Sequence, residues 1–186
     1  MREFALLAPA AALGTEECGG ITRFVVGGLL ISHGARPDAK VTVFFDGQDC
    51  VSFEGGSMRN VRPDEQSLSG LLRAGLKKIR IQGKGRVMQG IYAYRKPFAE
   101  YAAEAKRPKL YYSGGGGRAG GAGADFAAVF QHPRMGGDVE EMLVRNGFIS
   151  LRLAEGELAP DQAVVVLNNR ADRKAFSEGT LKRIAP

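Results

Sequence analysis

Three short apolar runs in the second half of the chain are each followed by a loop of small or polar residues. The runs are residues 110–112, 126–130 and 148–151, and the loops after them are residues 113–123, 131–137 and 154–157. Short apolar runs bounded by turn residues are typical of buried strands. In open α/β sheets, ligands bind outside the carboxyl ends of the strands, and glycine lets the backbone approach a ligand closely. The pattern therefore predicts a ligand site where these three strands end.

The glycine-rich loop at 113–123 does not match the common phosphate-binding motifs. Gly117 is followed by Arg118, whereas a P-loop requires a Lys-Ser or Lys-Thr pair, and no acidic residue closes a GxGxxG unit at the expected spacing. A P-loop-like or Rossmann-like nucleotide enzyme is therefore disfavoured. A run of glycines is also typical of a flexible hairpin or linker, and the residues alone leave that alternative open.

The composition limits the classes of protein to which the chain can belong. Its 186 residues and 44% hydrophobic content suit one globular domain. Cys18 and Cys50 lack CxxC spacing, which disfavours zinc and iron–sulfur sites and predicts a reducing, cytoplasmic compartment. No apolar stretch reaches the roughly 18 residues of a membrane helix, and Arg2–Ala8 resembles a strand more than a signal peptide. We expect neither a metal nor a membrane partner.

The charge balance indicates an anionic partner. The net charge is +6 and the pI is near 9.5, which favours RNA or DNA, with a merely basic, solvated surface as the alternative. Five basic residues cluster near the end of one predicted helix, namely Lys77, Lys78, Arg80, Lys84 and Arg86. They either complement the helix dipole on a solvated face or form an RNA-facing edge, and the sequence leaves both open.

Strand and helix patterns alternate along the chain. The predicted strands are residues 2–8, 41–45, 50–53, 87–94, 109–112, 126–130 and 148–151, and the predicted helices are residues 21–32, 63–78, 98–106 and 139–145. Gly34 is expected to cap the first helix. The pair Gly27 and Gly28 is costly inside that helix and indicates the close approach of another backbone. Asp46 and Gly47 predict a hairpin turn.

Residues 163–169 fit either a strand or a helix. Val165 and Val166 disfavour a helix because they are β-branched. Pro160 and Asp161 favour a helix start at the beginning of this run. Periodicity alone does not decide between the two.

Several segments, taken in order, resemble one family. They are Met1-Arg2-Glu3-Phe4, residues 30–33 with Arg36 and Asp38, residues 62–67, Gly90-Ile91-Tyr92 with Arg95, residues 110–112, residues 149–151, and residues 167–169 with Asp172. In order and spacing, the chain resembles the SPOUT-class tRNA pseudouridine-54 N1-methyltransferases, which occur mainly in archaea. That family is related to the ribosomal pseudouridine N1-methyltransferases. The resemblance spans nearly the whole chain.

The resemblance implies a fold and an activity. The fold would be a SPOUT-like open α/β sheet with helices on both faces and a C-terminal trefoil knot, a rare exception to the connection rules. Residues 1–186 would form one domain, with an RNA-facing part at 1–108 and a knotted cofactor-binding part at 109–186. The protein would be a homodimer that binds S-adenosylmethionine (SAM) and methylates N1 of a pseudouridine in tRNA or another structured RNA. Residues 163–169 would be a helix that packs the dimer and closes the knot.

The resemblance also implies roles for individual residues. The cofactor cradle would comprise Tyr112, Ser113, Gly114, Phe130, Gln131, Ser150, Leu151, Leu153 and Leu158. The RNA contacts would be Arg36, Arg62 and Arg95, and the candidate acceptors of the N1 proton are Asp38, Asp64 and Asp172. Each role has a structural alternative. In that alternative, the apolar residues pack in the core, the arginines lie on a solvated surface, and Asp64 is the acid at a helix start.

The chain also departs from the family pattern. The usual Gly-Asp-His loop is replaced by Gln-His-Pro-Arg-Met at residues 131–135. Gly34 stands where the family has an Asp, and Asn168-Asn169 stands where it has a His-Asn pair. Two extra residues also fall within 153–158. The implied cofactor cradle has thereby lost an acidic group. The glycines of residues 113–123 also lose extra backbone entropy when a ligand orders them. For both reasons, we expect weak SAM binding. His132 is either structural or a new functional group. The alternative function is a knotted, dimeric RNA-binding or assembly protein that has lost methyl transfer.

Overall fold

The computed structural model describes residues 1–31, 34–59, 61–106, 108–114, 125–151, 153 and 157–177. The strands are β1 (Arg2–Ala8), β2 (Leu30–Ile31), β3 (Gly34–Ala35), β4 (Ala39–Phe45), β5 (Asp49–Glu54), β6 (Lys84–Met88), β7 (Ile91–Arg95), β8 (Lys109–Tyr111), β9 (Phe126–Gln131) and β10 (Ile149–Ser150). The helices are α1 (Cys18–Leu29), α2 (Glu65–Gln82), α3 (Phe98–Glu104), α4 (Gly137–Arg145) and α5 (Pro160–Ser177), with a 3₁₀ turn at Ala10–Gly14.

The main sheet has eight strands in the order β10-β8-β9-β1-β4-β5-β7-β6. The strands from β10 to β4 are parallel, and β5, β7 and β6 extend the sheet in antiparallel fashion. On β1, Leu6 pairs with Val43 of β4 and with Phe130 of β9. The carboxyl ends of β8, β9 and β10 therefore lie at one edge, as the sequence predicts.

Helices cover both faces of the sheet, which confirms the predicted layering. On one face, α1, α2 and α5 enclose a core that includes Phe4, Phe24 and Val164. On the other face, α3 and α4 cover a smaller core that includes Phe44 and Leu143. Full burial of such side chains contributes roughly 1.5–3 kcal/mol each.

The helices α1 and α5 approach closely at the paired glycines of α1. A β-carbon at Gly27 would lie 2.7 Å from Val165 Cγ2 and 3.5 Å from the backbone oxygen of Asp161, and one at Gly28 would lie 2.5 Å from Val41 Cγ2. The side-chain amide of Asn168 donates to the carbonyl oxygens of both glycines, at 2.8 and 3.0 Å. The expected close approach is confirmed.

The first helix is shifted from its predicted bounds. It begins at Cys18 and ends at Leu29, and Leu30–Ile31 then pairs antiparallel with Gly34–Ala35. Leu30 is already extended, with φ −92° and ψ 147°, and the N–H of Arg36 donates to the oxygen of Leu29 at 2.7 Å. The predicted cap at Gly34 is therefore wrong, because that residue lies in a strand.

The predicted strand at 87–94 is also wrong, because the structure has a hairpin there. Lys84–Met88 and Ile91–Arg95 are antiparallel neighbours, and Gly90 turns between them with φ +76°. A β-carbon at Gly90 would lie 2.6 Å from the backbone nitrogen of Met58. The apolar residues on both sides of Gln89 and Gly90 fit one strand pattern, which hides a turn whose conformation favours glycine.

Two other expectations are resolved by the structure. The ambiguous run 163–169 is helical and belongs to α5. Asp46 and Gly47 have φ of +50° and +71° in the predicted hairpin turn. In the described part of the chain, no helix is both long and apolar enough to cross a membrane.

The predicted knot depends on the chain path through residues 115–124 and 154–156, which lie outside the described residues.

Candidate functional site

A cavity of about 280 Å³ lies where β8 and β9 end, at the edge predicted to bind a ligand. Its described lining comprises Tyr112, Ser113, Gly114, Gln131, Pro133, Arg134, Met135, Glu157, Leu158, Ala159 and Pro160. These residues come from the segments after β8 and β9 and from the start of α5. The cavity therefore joins three regions that are distant in the sequence.

A tyrosine connects two walls of this cavity. The hydroxyl of Tyr112 accepts a hydrogen bond from the backbone N–H of Leu158 at 2.8 Å and donates to its carbonyl oxygen at 3.1 Å. Tyr112 is itself only 4% exposed, and its backbone N–H donates to Val129 at 2.9 Å. The end of β8 is thereby fixed to the segment that leads into α5.

The loop after β9 is held by its own side chains. The amide oxygen of Gln131 accepts from the backbone N–H of Gly136 at 2.9 Å, and the backbone N–H of His132 donates to Leu7 at 2.8 Å. The bond from Gly136 to Gln131 closes the loop on itself, while His132 anchors it to β1. The wall formed by Pro133, Arg134 and Met135 is thus shaped before any ligand binds.

The cavity mouth combines a special backbone conformation with opposite charges. Gly114 has φ +80°, a conformation that disfavours other residues. Among the described residues, a β-carbon there would meet only the Glu157 side chain, at 3.6 Å. Arg134 Nη2 lies 3.5 Å from Glu157 Oε1, and both side chains are largely exposed. Both charges are therefore available to a ligand at the mouth.

Five of the nine predicted cradle residues line the cavity, and four do not. The lining residues are Tyr112, Ser113, Gly114, Gln131 and Leu158. Phe130 is fully buried and packs edge-on against Phe24, with ring centroids 5.0 Å apart. Leu151 and Leu153 are also buried, and Ser150 lies in β10, the edge strand. Three of them pack in the main core, and the cofactor role of all four stays a prediction.

Sequence reasoning did not select several lining residues as cradle members. They are Pro133, Arg134, Met135, Glu157, Ala159 and Pro160. The signal that could have found Ala159 and Pro160 is the helix start at Pro160, which lies beside the predicted ligand edge. Glu157 ends the third of the loops that were expected to meet there.

His132 lies between the cavity wall and α1. A β-carbon at Gly20 would be 2.8 Å from His132 Cε1, so the glycine gives the imidazole ring its space. His132 Nε2 lies 4.0 Å from Glu17 Oε2 and the side chain is 13% exposed. The ring thus packs the wall loop against the first turn of α1.

The predicted groups Arg36, Asp38 and Asp172 form an ion-pair cluster with Arg2. Asp172 accepts from Arg2 Nη1 at 2.5 Å and from Arg36 Nη2 at 2.8 Å, and Arg2 Nε lies 3.3 Å from Asp38 Oδ2. Arg2 also donates to the Asn168 side chain at 3.0 Å. The cluster ties α5 to the beginning of β1 and to the segment before β4.

The environment of Asp172 favours its ionised form. Burial raises the pKa of the carboxyl, but hydrogen bonds and charge from Arg36 and Arg2 outweigh burial, so the pKa lies below its ordinary value. Both partners are buried, with Arg36 9% and Arg2 1% exposed. The ionised Asp172 therefore neutralises two buried arginine side chains.

The cluster and the cavity lie at opposite ends of α5. Pro160 begins α5 at the cavity, and Asp172 follows 12 residues later, which corresponds to about 18 Å along a helix. Asp38 and Asp172 are thus not brought to the cavity of their own chain. They lie at the amino ends of β1 and β4.

The remaining predicted residues lie on the surface. Asp64 is the N-cap of α2 and accepts from the backbone N–H of Ser67 at 2.7 Å. Hydrogen bonds from Ser67 hold the pKa of Asp64 below its ordinary value. Arg62 is exposed two residues earlier, and Arg95 is 64% exposed with its Nε 3.2 Å from Asp49 Oδ1. Asp64 therefore caps α2, and its role as a proton acceptor stays a prediction.

No group of three or more His, Cys, Asp or Glu side chains suited to a metal ion occurs within the described ranges. Cys18 and Cys50 are buried and not joined. Burial raises the pKa of the Cys50 thiol to about 12. This thiol is therefore protonated and a poor nucleophile at neutral pH.

Comparison with known proteins gives the class and then the family. Nep1 from Archaeoglobus fulgidus, solved with S-adenosylhomocysteine, matches with a TM-score of 0.60 at 12% identity, over 85% of this chain and 71% of that one. The predicted SPOUT-like open α/β sheet is thereby confirmed. Residues 1–176 match the family described as putative SAM-dependent RNA methyltransferases, so the chain belongs to that family.

The match to a curated relative covers a smaller part of the chain. The tRNA (pseudouridine(54)-N(1))-methyltransferase of Haloarcula marismortui is 33% identical over 76 residues. That match spans 41% of this chain and 37% of the relative. The predictions of an RNA methyltransferase and of SAM as its cofactor are confirmed at the level of the family.

Proposed function

We propose that the protein transfers a methyl group from SAM to N1 of a pseudouridine in tRNA. The observation that carries the proposal is the cavity at the carboxyl ends of β8 and β9, in a chain whose family uses SAM to methylate RNA. The named activity of the Haloarcula relative supports pseudouridine as the substrate. SAM supplies a methyl group on a sulfonium, and the protein must position the acceptor nitrogen in line with it.

The cavity residues fit such a cofactor chemically. Gly114 and Ser113 offer backbone groups beside the cavity without a bulky side chain at the closest point. Glu157 is placed to attract the cationic amino and sulfonium groups, and Arg134 is placed to bind the carboxylate of the methionyl part. The bonds from Tyr112 to Leu158 keep the walls at a fixed separation.

We further propose that a homodimer completes the site. The outer surface of α1 and α5 carries a mostly apolar groove of about 500 Å³, lined by Arg23, Val26, Gly27, Pro63, Asp161, Gln162 and Val165. Val165 is 41% exposed there. Asp161 directly follows Pro160 of the cavity, so a second copy seated on this groove stands beside the cavity. Light scattering should give about twice the 19.9 kDa chain mass, whereas a single-chain species at micromolar concentration contradicts the dimer.

In a dimer, the partner chain can supply the acceptor of the N1 proton. Within one chain, Asp172 lies about 18 Å along α5 from the cavity, and Asp38 shares the Arg2 side chain with it. The proposal therefore assigns proton acceptance to Asp38, Asp64 or Asp172 of the partner chain. The 1–108 part, with Arg62 and Arg95 exposed, faces the RNA, and the 109–186 part forms the knotted cofactor side. We place the enzyme in the cytoplasm with its RNA substrate.

The second candidate function is RNA binding without methyl transfer. It is favoured by the wall at 131–135, where Pro133 and the exposed Arg134 stand in place of the family's acidic loop. Calorimetric titration with SAM separates the two functions. We expect weak but measurable binding, because the altered wall and the glycine-rich loop both reduce affinity. An absence of binding at millimolar SAM, with the dimer intact, favours the second function.

A further inference from the structure

One face of β5, β6 and β7 carries aromatic and basic side chains. Cross-strand partners point to the same face of a sheet, and the register pairs Arg86 with Tyr92, Lys84 with Tyr94, and Ser52 with Tyr92. The opposite face of these strands is covered by α2. There, a β-carbon at Gly75 would lie 2.6 Å from Val51 and 3.5 Å from Ala93.

Tyr94 is partly held in the core on this side of the sheet. It is half-buried and packs against the cluster that α3 covers. Beside it, the hydroxyl of Thr42 on β4 donates to that of Ser52 on β5 at 3.3 Å, and both side chains are buried. Tyr94 therefore supports this surface from the core side.

Tyr92 and the outer strand complete a basic, aromatic surface. Tyr92 and Tyr94 are half-buried, whereas Lys84 and Arg86 on β6 are exposed. Within the described residues, neither Lys84 nor Arg86 has an ion-pair partner. The acid on this face of β5, Glu54, lies 3.7 Å from Lys40. The surface is therefore basic along its outer edge.

We propose that this face binds a short single-stranded segment of RNA, with a base stacked on Tyr92 and phosphates on Lys84 and Arg86. Aromatic rings on a sheet flanked by basic side chains are the chemistry by which proteins hold unpaired bases. Duplex RNA presents no base face to such a ring. The proposal goes beyond methyl transfer, because β7 lies four strand positions from β9 in the sheet order, about 19 Å away at the usual strand spacing.

The test is the binding of a labelled uridine octamer to the full chain, followed by fluorescence anisotropy. Tyr92→Leu should weaken binding about fivefold or more, and Tyr92→Phe should leave it unchanged, because base stacking needs the ring. The chain has five tyrosines and no tryptophan, so stacking should also quench its intrinsic emission. Arg86→Gln should lower the salt dependence of binding by about one phosphate contact.

Equal affinity of the leucine and phenylalanine variants overturns the proposal, as does a failure of the wild-type protein to bind the octamer at low salt. Arg86→Gln keeps the test decisive if Tyr92→Leu does not fold. S-adenosylhomocysteine binding should be unchanged in every variant. Weaker octamer binding by Tyr92→Leu, with S-adenosylhomocysteine binding retained, therefore supports this surface independently of the proposed methyl transfer.

Discussion

The hydroxyl of Tyr112 forms two hydrogen bonds with the backbone of Leu158, one to its N–H at 2.8 Å and one to its carbonyl oxygen at 3.1 Å. One side chain thus satisfies both polar groups of a residue 46 positions away. The contact joins the end of β8 to the approach of α5, across the cavity of about 280 Å³. This hydroxyl therefore joins two of the segments that line the cavity.

Replacing that hydroxyl should affect both stability and cofactor binding. Tyr112→Phe leaves two partly buried backbone groups without a partner and should lower the free energy of unfolding by about 1–3 kcal/mol. Urea unfolding and calorimetry with S-adenosylhomocysteine measure the two effects. Tyr111→Phe is the matched control, because it loses a bond to Glu140 of α4 and should leave cofactor affinity unchanged. Equal cofactor affinity of the two variants would refute this role of Tyr112.

A side chain at Gly114 should be incompatible with cofactor binding. The residue has φ +80°, which costs a β-branched residue about 1–2 kcal/mol or more. Gly114→Val should therefore shift the loop and abolish SAM binding in calorimetry. Gly70→Ala in α2 is the control, since a β-carbon there meets none of the described residues within 4 Å and should stabilise the helix by roughly 0.5–1 kcal/mol. Normal SAM binding by Gly114→Val contradicts the placement of the cradle.

Asp172→Asn should destabilise the fold at neutral pH. Two buried guanidinium groups lose their shared partner, and because Asp172 is 35% exposed the loss should be about 2 kcal/mol, below the ~3–5 kcal/mol of fully buried pairs. Asp49→Asn, which breaks the surface pair with Arg95, should change stability by less than about 1 kcal/mol. Urea unfolding compares the two variants.

The effect of Asp172 should depend on pH. Its pKa in the folded protein lies below the ordinary value of 3.8. Its contribution to stability is therefore complete above that value and is lost as the pH falls through the folded pKa. The difference in unfolding free energy between wild type and Asp172→Asn should be constant from pH 7 to about pH 5 and shrink towards pH 3. A difference that grows on acidification contradicts the ion-pair cluster.

RNA binding should depend on salt and on Arg95. Released counterions drive the binding of a protein with net charge +6, so affinity should fall steeply as salt rises. Arg95→Ala should weaken tRNA binding and reduce the salt slope by about one. Arg145→Ala is the matched control, because Arg145 is also an exposed arginine with a carboxylate partner, Glu141, at 3.3 Å. This variant should not change tRNA binding or its salt slope. Affinity that is flat between low and physiological salt rules out this mode of binding.

The location of the ligand edge could be predicted from sequence because it depends on local signals. The runs before Ser113 and Gln131 are short and apolar, and parallel strands bring their carboxyl ends together whatever the details of packing. Phe130, Leu151 and Leu153 are buried, and their role in the cradle stays a prediction. An apolar residue next to a ligand loop has the same sequence pattern whether it lines the cavity or packs behind it.

The ion-pair cluster could not be predicted as a cluster. Arg2 and Asp172 are 170 positions apart, and Arg36 and Asp172 are 136 apart, so their meeting depends on the packing of α5 against β1. The resemblance selected Arg36 and Asp172 individually, for RNA and for the proton. The β6–β7 hairpin was missed for a different reason: the left-handed conformation of Gly90 carries no hydrophobic signal.

The most direct test of the account is methyl transfer to a defined RNA. The purified protein is incubated with SAM and tRNA stem-loops that differ in one base, pseudouridine or uridine at position 54, and the digested nucleosides are analysed by mass spectrometry. The account predicts N1-methylpseudouridine from the pseudouridine RNA and no methylated product from the uridine RNA. An absence of methylated product from a dimer that still binds both SAM and the RNA would contradict it.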